Sequence, residues 1–90
     1  MRPKESKRAL PFQGQAIKFG EACLIVEEPS YTFILNENHW FTQMESEMLP
    51  VGTIIVPVQC MRDSWREVTK CLAGGLGLVF IDIKAKVERL

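Results

Sequence analysis

The end of the chain alternates apolar and charged side chains with a period of two, and this pattern restricts the fold more than any other feature. In the stretch IDIKAKVE, residues 81–88, isoleucine, alanine and valine occupy the odd positions and charged residues occupy the even ones. Successive side chains of a β-strand point to opposite faces, so this order buries one face and leaves the other in water. A helix would place the same residues on unrelated faces. The alternation predicts one long final strand within 77–90.

Earlier segments share this β-rich character. We predict strands in QAIKF (15–19), in ACLIVEE (22–28) and in VGTIIVPVQ (51–59). Gly20-Glu21, between the first two, fits either a tight hairpin turn or a glycine bulge. Pro57 has no N–H to donate to a neighbouring strand, so the third strand is expected at a sheet edge or with a bulge near Pro57.

The stretch YTFILNENHWFTQ, residues 31–43, is typical of a hairpin. A three-residue loop at 36–38 is plausible because asparagine tolerates the left-handed conformation that such turns need. This loop predicts three pairs on one face: Leu35 with His39, Phe33 with Phe41, and Tyr31 with Gln43.

One helix is predicted, from Ser64 to about Ala73. Ser64 and Glu67 match the S-x-x-E capping box, which supplies partners for the free N–H groups of a helix start. Trp65, Val68 and Leu72 then fall on one helical face.

The stretch LAGGLGLVF, residues 72–80, holds three of the six glycines of the chain. A phosphate-binding loop leads from glycines into a helix N-terminus, where N–H groups meet the anion. Here the predicted order is helix, glycines, strand, so the glycines are interpreted as a connection between two elements.

These elements predict an α+β fold, a mainly antiparallel small barrel or roll of the SH3-like or OB-like kind, with about five strands and one helix before the last strand. Residues 1–14 mix charges and prolines without periodicity and are expected to form a flexible basic arm. Residues 15–90 are expected to form a single small β-rich domain.

No catalytic or metal-binding constellation is recognisable, so we expect no enzyme activity, no cofactor and no metal. Cys23, His39, Cys60 and Cys71 show no paired-ligand spacing. An odd number of cysteines excludes a fully paired disulfide framework within one chain and predicts a reducing, cytoplasmic compartment. The longest uncharged apolar stretch, 71–81, is too short and glycine-rich to span a bilayer, so no membrane partner is expected.

The hairpin carries more apolar surface than a one-sided sheet should show. Either it is buried on both sides in a closed barrel, or one face meets a partner. The leading hypothesis is a non-enzymatic, regulatory protein-interaction module that binds another protein, including a second copy of itself, through Tyr31, Phe33, Ile34, His39, Trp40 and Phe41.

Two alternatives remain open. Residues 2–8 hold four basic side chains against Glu5, so Arg2, Lys4, Lys7 and Arg8 could contact nucleic-acid phosphates while exposed aromatics stack on bases. The rest of the chain has a net charge of −3, which disfavours this reading. The second alternative is a small-molecule pocket or minor enzyme that uses His39 with a cysteine.

Overall fold

The structure is a computed structural model that describes residues 4–35, 41–44, 49–62 and 66–90. Within these ranges every regular element is a β-strand. There are eight: β1 (Lys4–Glu5), β2 (Cys23–Ile25), β3 (Thr32–Leu35), β4 (Phe41–Gln43), β5 (Ile54–Arg62), β6 (Glu67–Ala73), β7 (Gly77–Asp82) and β8 (Val87–Arg89).

The strands form one open antiparallel sheet in the order β4-β3-β7-β6-β5-β2-β8. β5 is long enough to pair with two strands along one edge, with β2 at its start and β1 at its end. The predicted α+β barrel or roll with one helix is wrong, because the described residues contain no helix and the sheet does not close. The prediction of a small β-rich domain is confirmed.

The segment predicted as a helix is β6, a strand in the middle of the sheet. Thr69, Cys71 and Ala73 are buried on one face, which we call the inner face, while Lys70 and Leu72 point to the opposite, outer face. β5 and β7 pair with β6 along its whole length, so tertiary hydrogen bonds override the capping-box signal. Asp63, Ser64 and Trp65 lie outside the described residues.

The last 14 residues form two strands instead of the predicted single one. Asp82 ends β7: its Oδ1 accepts a hydrogen bond from the Lys84 N–H at 3.0 Å, and its carbonyl accepts one from the Ala85 N–H at 3.0 Å. This side-chain turn redirects the chain before β8. The predicted burial of the odd positions is confirmed, because Val79, Ile81, Ile83, Ala85 and Val87 are all buried.

The glycine stretch connects two strands of a hairpin. Ala73 pairs with Gly77, and the Leu76 N–H donates to the Ala73 carbonyl at 3.2 Å. Gly75 has φ of 82°, a left-handed value suited to the third position of a type II turn. Interpretation as a connection is confirmed, although a strand and not a helix precedes it, and no helix follows that could bind a phosphate.

The hairpin of β3 and β4 has a different register from the predicted one. Phe33 pairs with Gln43 and Leu35 with Phe41, so residues 36–40 connect the strands. The predicted pairs of Phe33 with Phe41 and of Tyr31 with Gln43 are therefore wrong; the predicted loop 36–38 and His39 lie outside the described residues. In β5, Pro57 was expected to lie at a sheet edge or beside a bulge. The register shift between Pro57 and Gln59 confirms the bulge.

The inner face is covered by segments that precede or connect the strands. Phe12, Ile17, Met44 and Leu49 join the buried side chains of the sheet in one apolar cluster. The structure packs residues 4–14, the described part of the expected flexible arm, against the sheet: the Ser6 N–H donates to the Cys60 carbonyl, and Phe12 is completely buried. The predicted strand 15–19 is wrong, since this segment belongs to none of the eight strands.

Truncation of Phe12 tests this packing. Phe12→Ala is expected to lower the free energy of unfolding by about 3–5 kcal/mol, because it leaves a cavity in a complete core. Urea unfolding followed by circular dichroism measures the change. Phe19→Ala, which removes the same atoms from a half-buried position, should cost clearly less; equal effects would contradict the placement of Phe12.

A second pair of substitutions tests the β6–β7 turn. Gly75→Ala is expected to destabilise the fold by about 1–2 kcal/mol, because an L-residue at a left-handed φ is strained. Gly74→Ala is the matched control: neither glycine has an atom within 4 Å of an added Cβ, but only Gly75 has a positive φ. Thermal unfolding should separate the two variants, and identical melting temperatures would exclude the turn geometry.

Candidate functional site

The outer face of the sheet has two regions with different surroundings. At one end, Phe33, Val68 and Phe80 form a small buried cluster with Tyr31 and Met61 packed against it. The other end is aliphatic and open to water. The first region is packed internally, whereas the second exposes apolar side chains.

The aromatic region contains two of the residues expected to bind a partner. The rings of Tyr31 and Phe33 lie 5.4 Å apart, and the Arg66 guanidinium lies 5.1 Å and 5.0 Å from their centroids. The Tyr31 hydroxyl donates to the Glu67 carbonyl at 3.3 Å. Phe33 is only 7% exposed. These aromatic side chains therefore stabilise the outer face by internal packing, with a cation–π contribution of about 0.5–1 kcal/mol.

The other residues expected to bind a partner are Ile34, His39, Trp40 and Phe41. Ile34 is exposed but lies on the face of β3 opposite Phe33. The backbone of Phe41 belongs to β4. His39 and Trp40 lie outside the described residues. Ile34 therefore does not share a surface with Phe33.

The aliphatic region is a continuous set of neighbours, which we call the outer aliphatic face: Leu35, Ile54, Val56, Leu72 and Leu78. Leu72 pairs with Val56 on one side and with Leu78 on the other. Phe33 pairs with Phe80, and Leu35 and Leu78 each lie two residues beyond this pair, on the same face of the sheet. Directly opposed side chains have Cβ atoms about 5 Å apart. The face thus crosses four adjacent strands.

This face leaves a large apolar area in water. Leu35, Leu72, Leu78 and Ile54 are 43%, 51%, 45% and 50% exposed. The solvent face of an antiparallel sheet is usually polar, and single exposed apolar residues need no explanation. A contiguous apolar patch on the order of a few hundred Å² instead marks an interaction site.

The surroundings of the outer aliphatic face are polar and carry both charges. Lys70 lies two residues before Leu72, on the same face of β6 and nearer to the aromatic region. Glu88 borders the opposite side, where it pairs with Leu24, which in turn pairs with Ile54. An apolar centre with a polar rim is the usual arrangement of a protein–protein interface.

The three cysteines belong to the inner face and are all buried free thiols. The Cys60 sulfur lies 3.7 Å from the Pro11 carbonyl oxygen and 3.7 Å from the Thr69 hydroxyl. The Thr69 hydroxyl also donates to the Pro11 carbonyl. These contacts tie the N-terminal segment to β5 and β6.

Burial raises the pKa of these three thiols. Loss of solvation, with a smaller effect of the Glu21 carboxylate, raises the pKa of Cys23 to about 11. Burial also raises the pKa of Cys60 and of Cys71. A nucleophilic or metal-binding cysteine reacts as the thiolate. The raised pKa values favour the protonated thiol, so these three cysteines differ from those of a reactive site.

The described residues contain no cluster of three or more histidine, cysteine or acidic side chains that could hold a metal ion. The described ranges also contain no helix that is long and apolar enough to cross a membrane. Of the residues considered for phosphate contacts, Arg2 lies outside the described part and Lys4 is described by its backbone only. Lys7 is exposed, and Arg8 forms an ion pair with Glu67 at 3.6 Å.

Comparisons with protein-family models, with curated proteins and with solved structures found no match to this chain. The chemistry of the outer aliphatic face therefore carries the functional argument.

Sequence reasoning missed this face because the predicted helix placed Leu72 on a core-facing side. One weak signal was present: the small residues Thr69, Cys71 and Ala73 lie at every second position, although the positions between them hold Val68 and Leu72 as well as Lys70 and lack the apolar–charged period of residues 81–88. This spacing does not by itself say which face is covered.

The buried thiols predict a pH dependence of stability. An unfolded thiol ionises near pH 9, whereas folded Cys23 stays protonated until about pH 11. The folded state binds more protons in this interval, so the free energy of unfolding should fall as the pH rises above 9, by up to about 1.4 kcal/mol per pH unit per thiol. Urea unfolding at a series of pH values between these limits measures the slope.

Lysine and tyrosine side chains also titrate near this range, so Cys23→Ala provides the control. This variant should show a shallower fall of stability above pH 9 than the parent chain. Equal slopes would mean that Cys23 ionises as readily in the fold as in the unfolded chain.

Proposed function

We propose that this chain is a non-enzymatic, regulatory protein-interaction module that binds another protein through the outer aliphatic face. The observation that carries the proposal is the unbroken set of half-exposed aliphatic side chains across β3, β7, β6 and β5. The proposal keeps the class of function expected from the sequence and moves the binding surface away from the aromatic hairpin residues.

The energetics favour a protein partner with an apolar surface. Apolar area removed from water contributes about 25 cal/mol per Å², so covering a patch of a few hundred Å² contributes several kcal/mol. The side chains of the face lie on central strands with backbone bonds on both sides. A preorganised surface loses little conformational entropy when a partner binds.

The charges give less support to nucleic acid as the partner. The five side chains of the outer aliphatic face are uncharged, and Arg8 is engaged with Glu67. Basic and acidic residues are equal in number, 11 of each, so the chain has no net positive field to attract a polyanion.

Site-specific photo-cross-linking tests the proposal. A photoreactive amino acid placed at position 72 in cells that make this protein should form covalent adducts with a discrete protein, identified by mass spectrometry. The adducts should disappear when Leu78→Lys is added, because a buried lysine charge opposes apolar contact.

Position 51 is the matched control site. Val51 is 58% exposed and belongs to the turn before β5, so it is not part of the strands that carry the outer aliphatic face. Adducts that form equally from positions 51 and 72, or that survive Leu78→Lys, would contradict a role for this face.

A further inference from the structure

We infer that the partner that covers the outer aliphatic face is a second copy of this chain, packed face to face about a two-fold axis. This inference rests on the proposed function, because it names the partner of the same surface. Charge, size and sheet geometry support it.

The charges of the surface suit a second copy better than a strongly acidic or basic protein. The five side chains of the outer aliphatic face are uncharged, and the chain has a formal net charge of zero, so two copies meet without net repulsion. Lys70 and Glu88 give the rim both signs. A second copy therefore offers each rim charge a group of opposite sign.

The outer surface of the sheet, of which the outer aliphatic face is the apolar part, is as large as the surface that a stable dimer buries. The molecule measures 33 × 28 × 19 Å. Seven strands spaced about 4.8 Å apart, and the nine residues of β5, account for its two longer dimensions. A sheet surface with those two dimensions exceeds the roughly 800 Å² that each subunit buries in a standard interface, so a dimer contact would cover the outer aliphatic face together with its polar rim.

The position of the apolar side chains also suits a two-fold contact. An isologous interface uses the same patch on both subunits, so the patch must complement itself. Leu35, Leu78, Leu72 and Val56 lie on the four strands from β3 to β5, in the middle of the sheet order, and are similar in size. Two antiparallel sheets pack in this way about 10 Å apart, with interdigitating aliphatic side chains.

Sedimentation equilibrium of the purified full chain tests the inference. The unmodified chain should show twice the monomer mass as its concentration rises from low micromolar to submillimolar. Leu72→Lys should weaken the dimer by about 100-fold, because the substitution buries two unpaired charges near the centre of the interface.

Val51→Lys is the matched control, because Val51 is at least as exposed as Leu72 but lies in the turn before β5 and not on a strand of the face. It should leave the dimer unchanged. A chain that stays monomeric throughout, or a dimer that Leu72→Lys does not weaken, would overturn the inference.

A measurement on the unmodified chain avoids any dependence on how the variants fold. Hydroxyl-radical footprinting should show less oxidation of Leu72 and Leu78 in concentrated than in dilute protein, with no change at Val51. Equal oxidation at both concentrations would count against a second copy.

The cross-linking experiment separates this inference from the proposed function. A monomeric chain whose position 72 still cross-links to one different protein overturns the second copy and supports the interaction surface. A monomeric chain with no adduct at position 72 overturns both.

Discussion

The pairing of β6 with β5 on one side and β7 on the other is the constraint on which the rest of the structure depends. It holds residues 67–73 extended, so their side chains alternate between the inner and outer faces. Thr69, Cys71 and Ala73 complete the core, and Leu72 reaches the surface as a direct consequence. The same seven residues, wound as a helix, would have hidden Leu72 and left the core incomplete.

Segments outside the strands cover the inner face of the sheet but only part of the outer face. The inner face gains Phe12, Ile17, Met44 and Leu49, which come from outside the strands and exclude water. The outer face gains an aromatic cluster at one end, covered by Arg66, and remains aliphatic at the other. Burial of the first face accounts for stability. Exposure of the second motivates the proposed interaction.

The polar groups of the interior contribute to structure and not to reactivity. The Thr69 hydroxyl and the Cys60 thiol both contact the Pro11 carbonyl, which would otherwise be buried without a donor. At the other sheet edge, the Gln15 side-chain amide donates to the Ala85 carbonyl and accepts from the Val87 N–H. It thereby occupies backbone groups of Ala85 and Val87, at the edge formed by β8, that could recruit another strand.

Sequence by itself determined the β-rich character, the burial of alternate residues from Val79 to Val87, the need for a sheet edge or a bulge at Pro57 and the role of the glycines as a connection. Each follows from local chemistry: side-chain alternation, a missing N–H, or a permitted left-handed φ. Only the tertiary structure decided that 67–73 is a strand, that five residues separate β3 from β4, and which side of the sheet stays open. Those outcomes depend on hydrogen bonds and cover supplied by segments distant in the chain, such as Phe12, which no local pattern records.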